Sequence, residues 1–500
     1  MMRRSGAEGA IQIPMRWSLL PLVAALLLLA SRGFGQSTVP SNGLELLSQG
    51  RFEEALTALE AQAAADPGNS KIAAARVGCL VQLGRWNEAL AASEKLMDRF
   101  PKDPEMAILR ADCLFLTFQP ARAVEAYAPA LSDPRWGPTA LSKAATAALA
   151  RGDQKLALSL FQQAKDHGIP LTDSALQVEF GAEDDVQKKL AILNELIVRN
   201  PENASFKDQL ALDQALASRS PATNTPPASY PSRTQIKEIY REPSISVKLL
   251  DGQSPVWLAL DTGSESLLLN EDLAKKLAFP DLSKAVYGGW GYRGLQETRY
   301  VCVARIEAAG RVLTGVPAIV NTRDAEFWTK KGGYIGLWPF LKDVAFYDRR
   351  GGVFTLWPAG TPPSQLLGEK AVSVPALWYR GLCLVPVSIN GGEPHPFLLD
   401  TGAPYSLLDK ERAARIGVRV NSGKYGNVHG LGFSGAFSSS VAESIVMQVG
   451  GRSFVRRLIL VTDIPQRFPV PLYGIIGRDL LNEFKLVFDG PGARVAFKSY

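Results

Sequence analysis

Histidine and cysteine are scarce in this chain, at three and four residues among 500. His167, His395 and His429 offer little material for a zinc site, and no C-x-x-C or H-E-x-x-H occurs. Four cysteines are too few for a disulfide-built scaffold. A one-signed charge is missing as well. Lys+Arg is 55 against Asp+Glu at 49, a net of +6, so no nucleic-acid partner is expected. No uninterrupted apolar run is long enough for a comfortable transmembrane helix. What is present is ordinary globular composition, 46% hydrophobic and 21% charged. At roughly 100–200 residues per domain, the length calls for about two to four domains.

The first 35 residues read as an address. Arg3, Arg4 and Arg16 precede an apolar run over residues 19–30, broken only by Pro21. Gly33-Phe34-Gly35 then supplies small residues at a cleavage-site spacing, which predicts a secretory signal cut before Gln36. An exported protein, periplasmic or extracellular, with no stable membrane anchor is expected. An uncleaved anchor is the alternative. Residues 1–35 carry four arginines against Glu8, so half of the +6 belongs to this segment.

A repeat follows over residues 36–216. Gly50-Arg51-Phe52-Glu53-Glu54-Ala55-Leu56 returns 34 residues later as Gly84-Arg85-Trp86-Asn87-Glu88-Ala89-Leu90. The same step reaches Ala123-Val124, Ala157-Leu158 and Ala191-Ile192, while Gly152 continues the glycine series with Phe118 in the third slot. A helix hairpin that cannot bury its apolar face alone stacks on its neighbours at such a period. Alanine lets paired helices approach, and glycine fits the turn. The pattern resembles the tetratricopeptide repeat. The resemblance implies all-α repeats that bind a protein partner; a spacer or self-association role is the alternative. Cys79 and Cys113, also 34 apart, read as equivalent buried core residues too distant for a disulfide. Pairing of Cys302 with Cys383 is left open.

Residues 217–235 hold four prolines among Ser, Thr and Asn, which predicts a semi-extended linker. Beyond them the apolar runs become short and β-branched, the texture of strands. Asp261-Thr262-Gly263-Ser264 follows one apolar strand, and Asp400-Thr401-Gly402-Ala403 follows another. The surroundings match. Asp251-Gly252 and Asn390-Gly391 stand ten residues ahead of each Asp, and a glycine-rich segment follows each. From each segment it is 47 residues to an Ile-Gly, ending at Gly336 and Gly477, and 12 more to Asp348 and Asp489. Both glycine segments satisfy G-x-G-x-x-G. Neither leads into a helical apolar period, so a dinucleotide fingerprint is rejected.

This layout resembles the retropepsin-like aspartic proteases, with all-β lobes at residues 236–360 and 361–500. The resemblance implies a bilobal aspartic endopeptidase acting on a polypeptide substrate, with Asp261 and Asp400 as the catalytic pair and no metal or cofactor required. Two carboxylates held close cannot both ionise, so they share a proton and activate a water between them. The resemblance further implies that Thr262 and Thr401 cross-brace the loops, and Gly263 and Gly402, lacking a Cβ, are expected to let them approach. Gly289, Trp290, Gly291 and Tyr292 in one lobe, with Gly430, Gly432 and Phe433 in the other, are the flap candidates. Ser264 faces Ala403 in the alignment of the halves. Its hydroxyl is expected to favour the ionised form of Asp261 over that of Asp400. Two readings stay open on the sequence: lobes pairing within one chain or between chains, and an enzyme or a non-catalytic polypeptide-binding protein.

Overall fold

The computed structural model describes residues 42–219, 222–250, 254–287, 296–321, 332–421, 428–432, 435–464, 466 and 468–500. The signal expected at residues 1–35 lies outside them. No described helix is long and apolar enough to cross a membrane. Helices fill the chain to Ala217 and strands dominate from Thr223 onward.

The 34-residue period is a period in helix pairs. Phe52–Ala65, Trp86–Arg99, Pro120–Tyr127 and Gln154–Asp166 each open two residues after the recurring turn position. Gly50, Gly84 and Gly152 hold that position at φ of +76°, +75° and +80°, the left-handed region that only glycine enters without strain. Phe118 takes the third slot at +61° and carries the strain the others avoid. Ala55, Ala89, Ala123 and Ala157 are fully buried where the helices meet. Asn69, Asp103 and Thr172 cap partner helices, and Asp153 caps Gln154–Asp166 itself, each accepting from an amide of the first turn. Cys79 and Cys113 are buried free thiols.

The expected linker is partly strand. Thr223–Thr225 pairs with Arg311–Asn321, and the start of Ser232–Ile239 pairs with Val353–Trp357. Neither paired stretch contains proline, so their backbone donors are free to join the ladder.

The two β lobes repeat one topology. In the first, Glu242–Lys248 pairs antiparallel with Val256–Leu260, which runs parallel to Gly333–Ile335. In the second, Leu382–Ile389, Pro394–Leu399 and Gly474–Ile476 do the same. Leu267–Asn270 lies parallel to Arg311–Asn321, and Leu407–Asp409 lies parallel to Arg452–Thr462. A short helix follows each, capped by Asn270 and Asp409. Val344–Asp348 of the first lobe pairs with Phe484–Asp489 of the second, so one continuous sheet joins them. The lobes therefore close on each other within one chain. Asp348 and Asp489 are turn residues, accepting from the Gly351 and Gly492 amides at 2.7 and 2.8 Å. Cys302 and Cys383 do not pair; both are free, on strands of different lobes.

The repeats pack directly on the second lobe. Trp86, buried, meets the ring of His395 edge-on at 4.8 Å and that of Tyr473 at 5.6 Å. His395 and Tyr473 stack at 3.9 Å. The Asn87 amide donates to Glu393 at 2.9 Å, and Arg415 donates to the Gln82 carbonyl at 3.1 Å. A side chain at Gly84 would strike the Tyr473 hydroxyl at 2.9 Å, so this turn needs glycine twice over, for its φ and for the contact.

Candidate active site

Each aspartate stands at the end of a central strand. The Asp261 amide donates to Ile335 O at 2.9 Å, and the Asp400 amide donates to Ile476 O at 3.0 Å. The same strand order in both lobes thus delivers both carboxyls to the junction, and the two hydrogen-bond each other. Both residues keep partial exposure, so water reaches them.

Thr262 and Thr401 are buried and cross-braced as expected. Each backbone amide donates to the other's hydroxyl, at 3.1 and 3.0 Å. Each hydroxyl donates onward to the opposite strand, Thr262 to Leu399 O at 2.7 Å and Thr401 to Leu260 O at 2.5 Å. Four buried bonds therefore fix the loops against each other. Glycine next door is obligatory. A Cβ on Gly263 would lie 2.5 Å from Asp400 Cγ, and one on Gly402 would lie 2.6 Å from Asp261 Cγ.

The expected role of Ser264 is overturned. Its hydroxyl donates to Ser266 O at 2.9 Å rather than to a carboxylate. Its amide donates to the backbone carbonyl of Asp261 at 3.0 Å. Asp261 Oδ1 is left with the Gly263 amide at 2.9 Å. Asp400 Oδ1 receives two amides, Gly402 at 2.8 Å and Ala403 at 2.9 Å. Burial, then the facing Asp400 carboxylate, push Asp261 well above the usual carboxyl range, and Glu242 adds to this. Burial raises Asp400 too, but the Ala403 and Gly402 amides and Arg478 pull it back. Asp400 is the more readily ionised member, the reverse of the expectation, because the extra backbone amide and Arg478 favour its charge while the serine hydroxyl reaches neither carboxyl.

Two functional neighbours escaped the sequence. Arg478, buried, donates to Thr401 O at 3.1 Å and Gly402 O at 3.2 Å, and lies 3.8 Å from Glu242 of the first lobe. Tyr334, also buried, hydrogen-bonds Glu242. The spacing of the halves already sets Leu337 against Arg478, whereas Glu242 finds its counterpart, Leu382, only through the strand register.

Of the flap candidates, Gly289, Trp290, Gly291, Tyr292 and Phe433 lie outside the described residues. Gly430 and Gly432 lie on the strand Val428–Gly432, which forms a hairpin with Gly435–Val449. That glycine segment leads into a strand, in keeping with rejection of a dinucleotide fingerprint. Among the described residues, no three His, Cys, Asp or Glu side chains converge to hold a metal ion.

Comparison with known proteins gives two family matches. The family described as "Tetratricopeptide repeat" matches residues 46–113, and the one described as "Aspartyl protease" matches residues 245–337 and 385–480. No curated protein matches the chain. Among solved structures, a thermophilic TPR protein of Thermus thermophilus is similar at 16% identity and a TM-score of 0.28, covering 34% of this chain and 95% of its own.

Proposed function

Because the chain joins tetratricopeptide repeats to an aspartyl-protease domain in two segments, we propose that it is an exported aspartic endopeptidase. The observation that carries this reading is the mutually hydrogen-bonded Asp261–Asp400 pair, held by the threonine brace at the junction of two like lobes. Asp400, with its two amides, is the ionised member. It takes a proton from a water bound between the carboxyls as that water attacks the scissile carbonyl. Asp261 holds the shared proton and donates a hydrogen bond to the carbonyl oxygen, offsetting the charge that develops there. As the tetrahedral intermediate collapses, the proton gained by Asp400 passes to the leaving amine.

The repeats add a site for a protein partner, although the Trp86 turn is already committed to the second lobe. Export rests on the arginines ahead of the apolar run at residues 19–30. A peptide library incubated with wild type and with Asp400→Asn tests the activity. Cleavage lost in the variant, with an unchanged circular dichroism spectrum, supports the enzyme. A wild type that cuts nothing from acid to neutral pH leaves the polypeptide-binding reading in its place. Amino-terminal sequencing of the exported protein, expected to begin at Gln36, tests the address.

A further inference from the structure

The two lobes share a frame that lets each residue be matched to its counterpart. Ser244 pairs with Ala259 two positions before Asp261, and Leu384 pairs with Leu398 two positions before Asp400. Glu242 therefore corresponds to Leu382. Each begins a strand after a tight turn with two positive φ angles, Tyr240-Arg241 in one lobe and Arg380-Gly381 in the other. The strands Gly333–Ile335 and Gly474–Ile476 correspond as well, so Leu337 matches Arg478.

Each lobe sends its turn across to the other. On one side Glu242 meets Arg478 at 3.8 Å, with both side chains no more than 10% exposed. On the other, the turn before Leu382 lies against Trp338, the neighbour of Leu337; a Cβ on Gly381 would sit 2.5 Å from Trp338 Cβ. Leu337 and Leu382 are both buried. A junction with two-fold backbone symmetry thus holds a buried ion pair on one side, and on the other buried leucines with a more exposed Arg380–Glu265 pair at 3.6 Å. The charges fall next to the aspartates: Arg478 binds the carbonyls of Thr401 and Gly402, and Tyr334, paired with Glu242, lies in the strand beside Asp261.

We infer that Glu242 and Arg478 are positioning residues that divide the roles within the pair, Arg478 holding the charge on Asp400 and Glu242 holding the proton on Asp261. The inference deepens the endopeptidase reading and rests on it for its meaning in catalysis. Geometry gives the direction. A buried cation beneath the Asp400 loop favours the carboxylate there, and a buried anion in the lobe of Asp261 disfavours a second one. The charged groups near the pair are Glu242 from the first lobe and Arg478 from the second, with Glu265 and Arg380 paired on the opposite side of the junction; the neutral Tyr334 and Tyr347 lie by Glu242 and Arg478. The arrangement needs unlike lobes. Two first lobes would set Glu242 against leucine, and two second lobes would do so for Arg478, leaving a buried charge unpaired.

The test reads the carboxyl ¹³C signals of the full chain against pH, with the two aspartates assigned through Asp261→Asn and Asp400→Asn. In wild type, Asp400 is expected to ionise at lower pH than Asp261. Glu242→Gln should bring the Asp261 titration down by about one pH unit. Arg478→Met should move that of Asp400 up by a similar amount. Ionisation of Asp261 before Asp400 in wild type overturns the inference, and so does a Glu242→Gln protein that folds with both titrations unmoved. If Arg478→Met fails to fold, the wild-type order and Glu242→Gln still decide. These signals titrate whether or not the protein cleaves peptides, so a failed endopeptidase reading shows separately, as a wild type with the expected titration and no cleavage.

Discussion

Acid should weaken the contact between the repeats and the second lobe through His395. The residue is 2% exposed, stacked on Tyr473 and enclosed by Trp86, and its Nδ1 has no hydrogen-bond partner among the described residues. Burial pushes its pKa down from 6.5 to about 4. The unfolded chain takes up a proton near 6.5, whereas the folded chain resists until near 4. Between these values the unfolded state binds more protons, so stability is full above the upper value and is lost as pH falls towards the lower one. The loss approaches about 3 kcal/mol, at roughly 1.4 kcal/mol for each pH unit between the two values. Urea unfolding of the full chain at stepped pH measures it. His395→Phe keeps a ring between Trp86 and Tyr473 but cannot titrate. Wild type and variant share the aspartate pair and the other two histidines, so their difference isolates this residue. The difference should carry a slope of about one proton across the window and level off below it. Identical acid slopes in the two proteins would refute the reasoning.

Further outcomes follow from the site and the junction. Trp86→Ala should destabilise the chain by roughly 3–5 kcal/mol, since it empties a buried three-ring cluster; thermal unfolding and protease susceptibility read this. Gly263→Ala should abolish cleavage while the repeats remain folded, because its methyl group would fall on the Asp400 carboxyl; a variant with wild-type kcat would contradict that geometry. Thr262→Val removes a hydroxyl that donates to Leu399 O and accepts from the Thr401 amide. A loss of about 1–3 kcal/mol in chemical unfolding is expected, along with a lower kcat. Asp400→Asn should lose cleavage entirely and Asp261→Asn likewise, with unchanged circular dichroism in both.

The parts list is legible in the sequence. Period suffices for the helices: a 34-residue step with alanine at each crossing and glycine at each turn is local information, and the fully buried Ala55, Ala89, Ala123 and Ala157 follow from it. Duplication suffices for the two lobes, since two matched D-T-G loops stand in matched frames, while the braced pair is what the resemblance to retropepsin-like proteases implies. Packing settles whatever depends on which polar group meets which. The Ser264 hydroxyl turns to the Ser266 carbonyl within its own loop, and the amide count, one at Asp261 against two at Asp400, contributes to the asymmetry. Paired strands appear within the Pro-rich stretch because its proline-free segments find open edges far along the chain. Glu242 meets Arg478, and Trp86 meets His395, between segments far apart in the chain. Composition and spacing carry no record of such pairings. They arise only when two lobes and a repeat array pack together, and burial then makes each unmatched charge or ring costly.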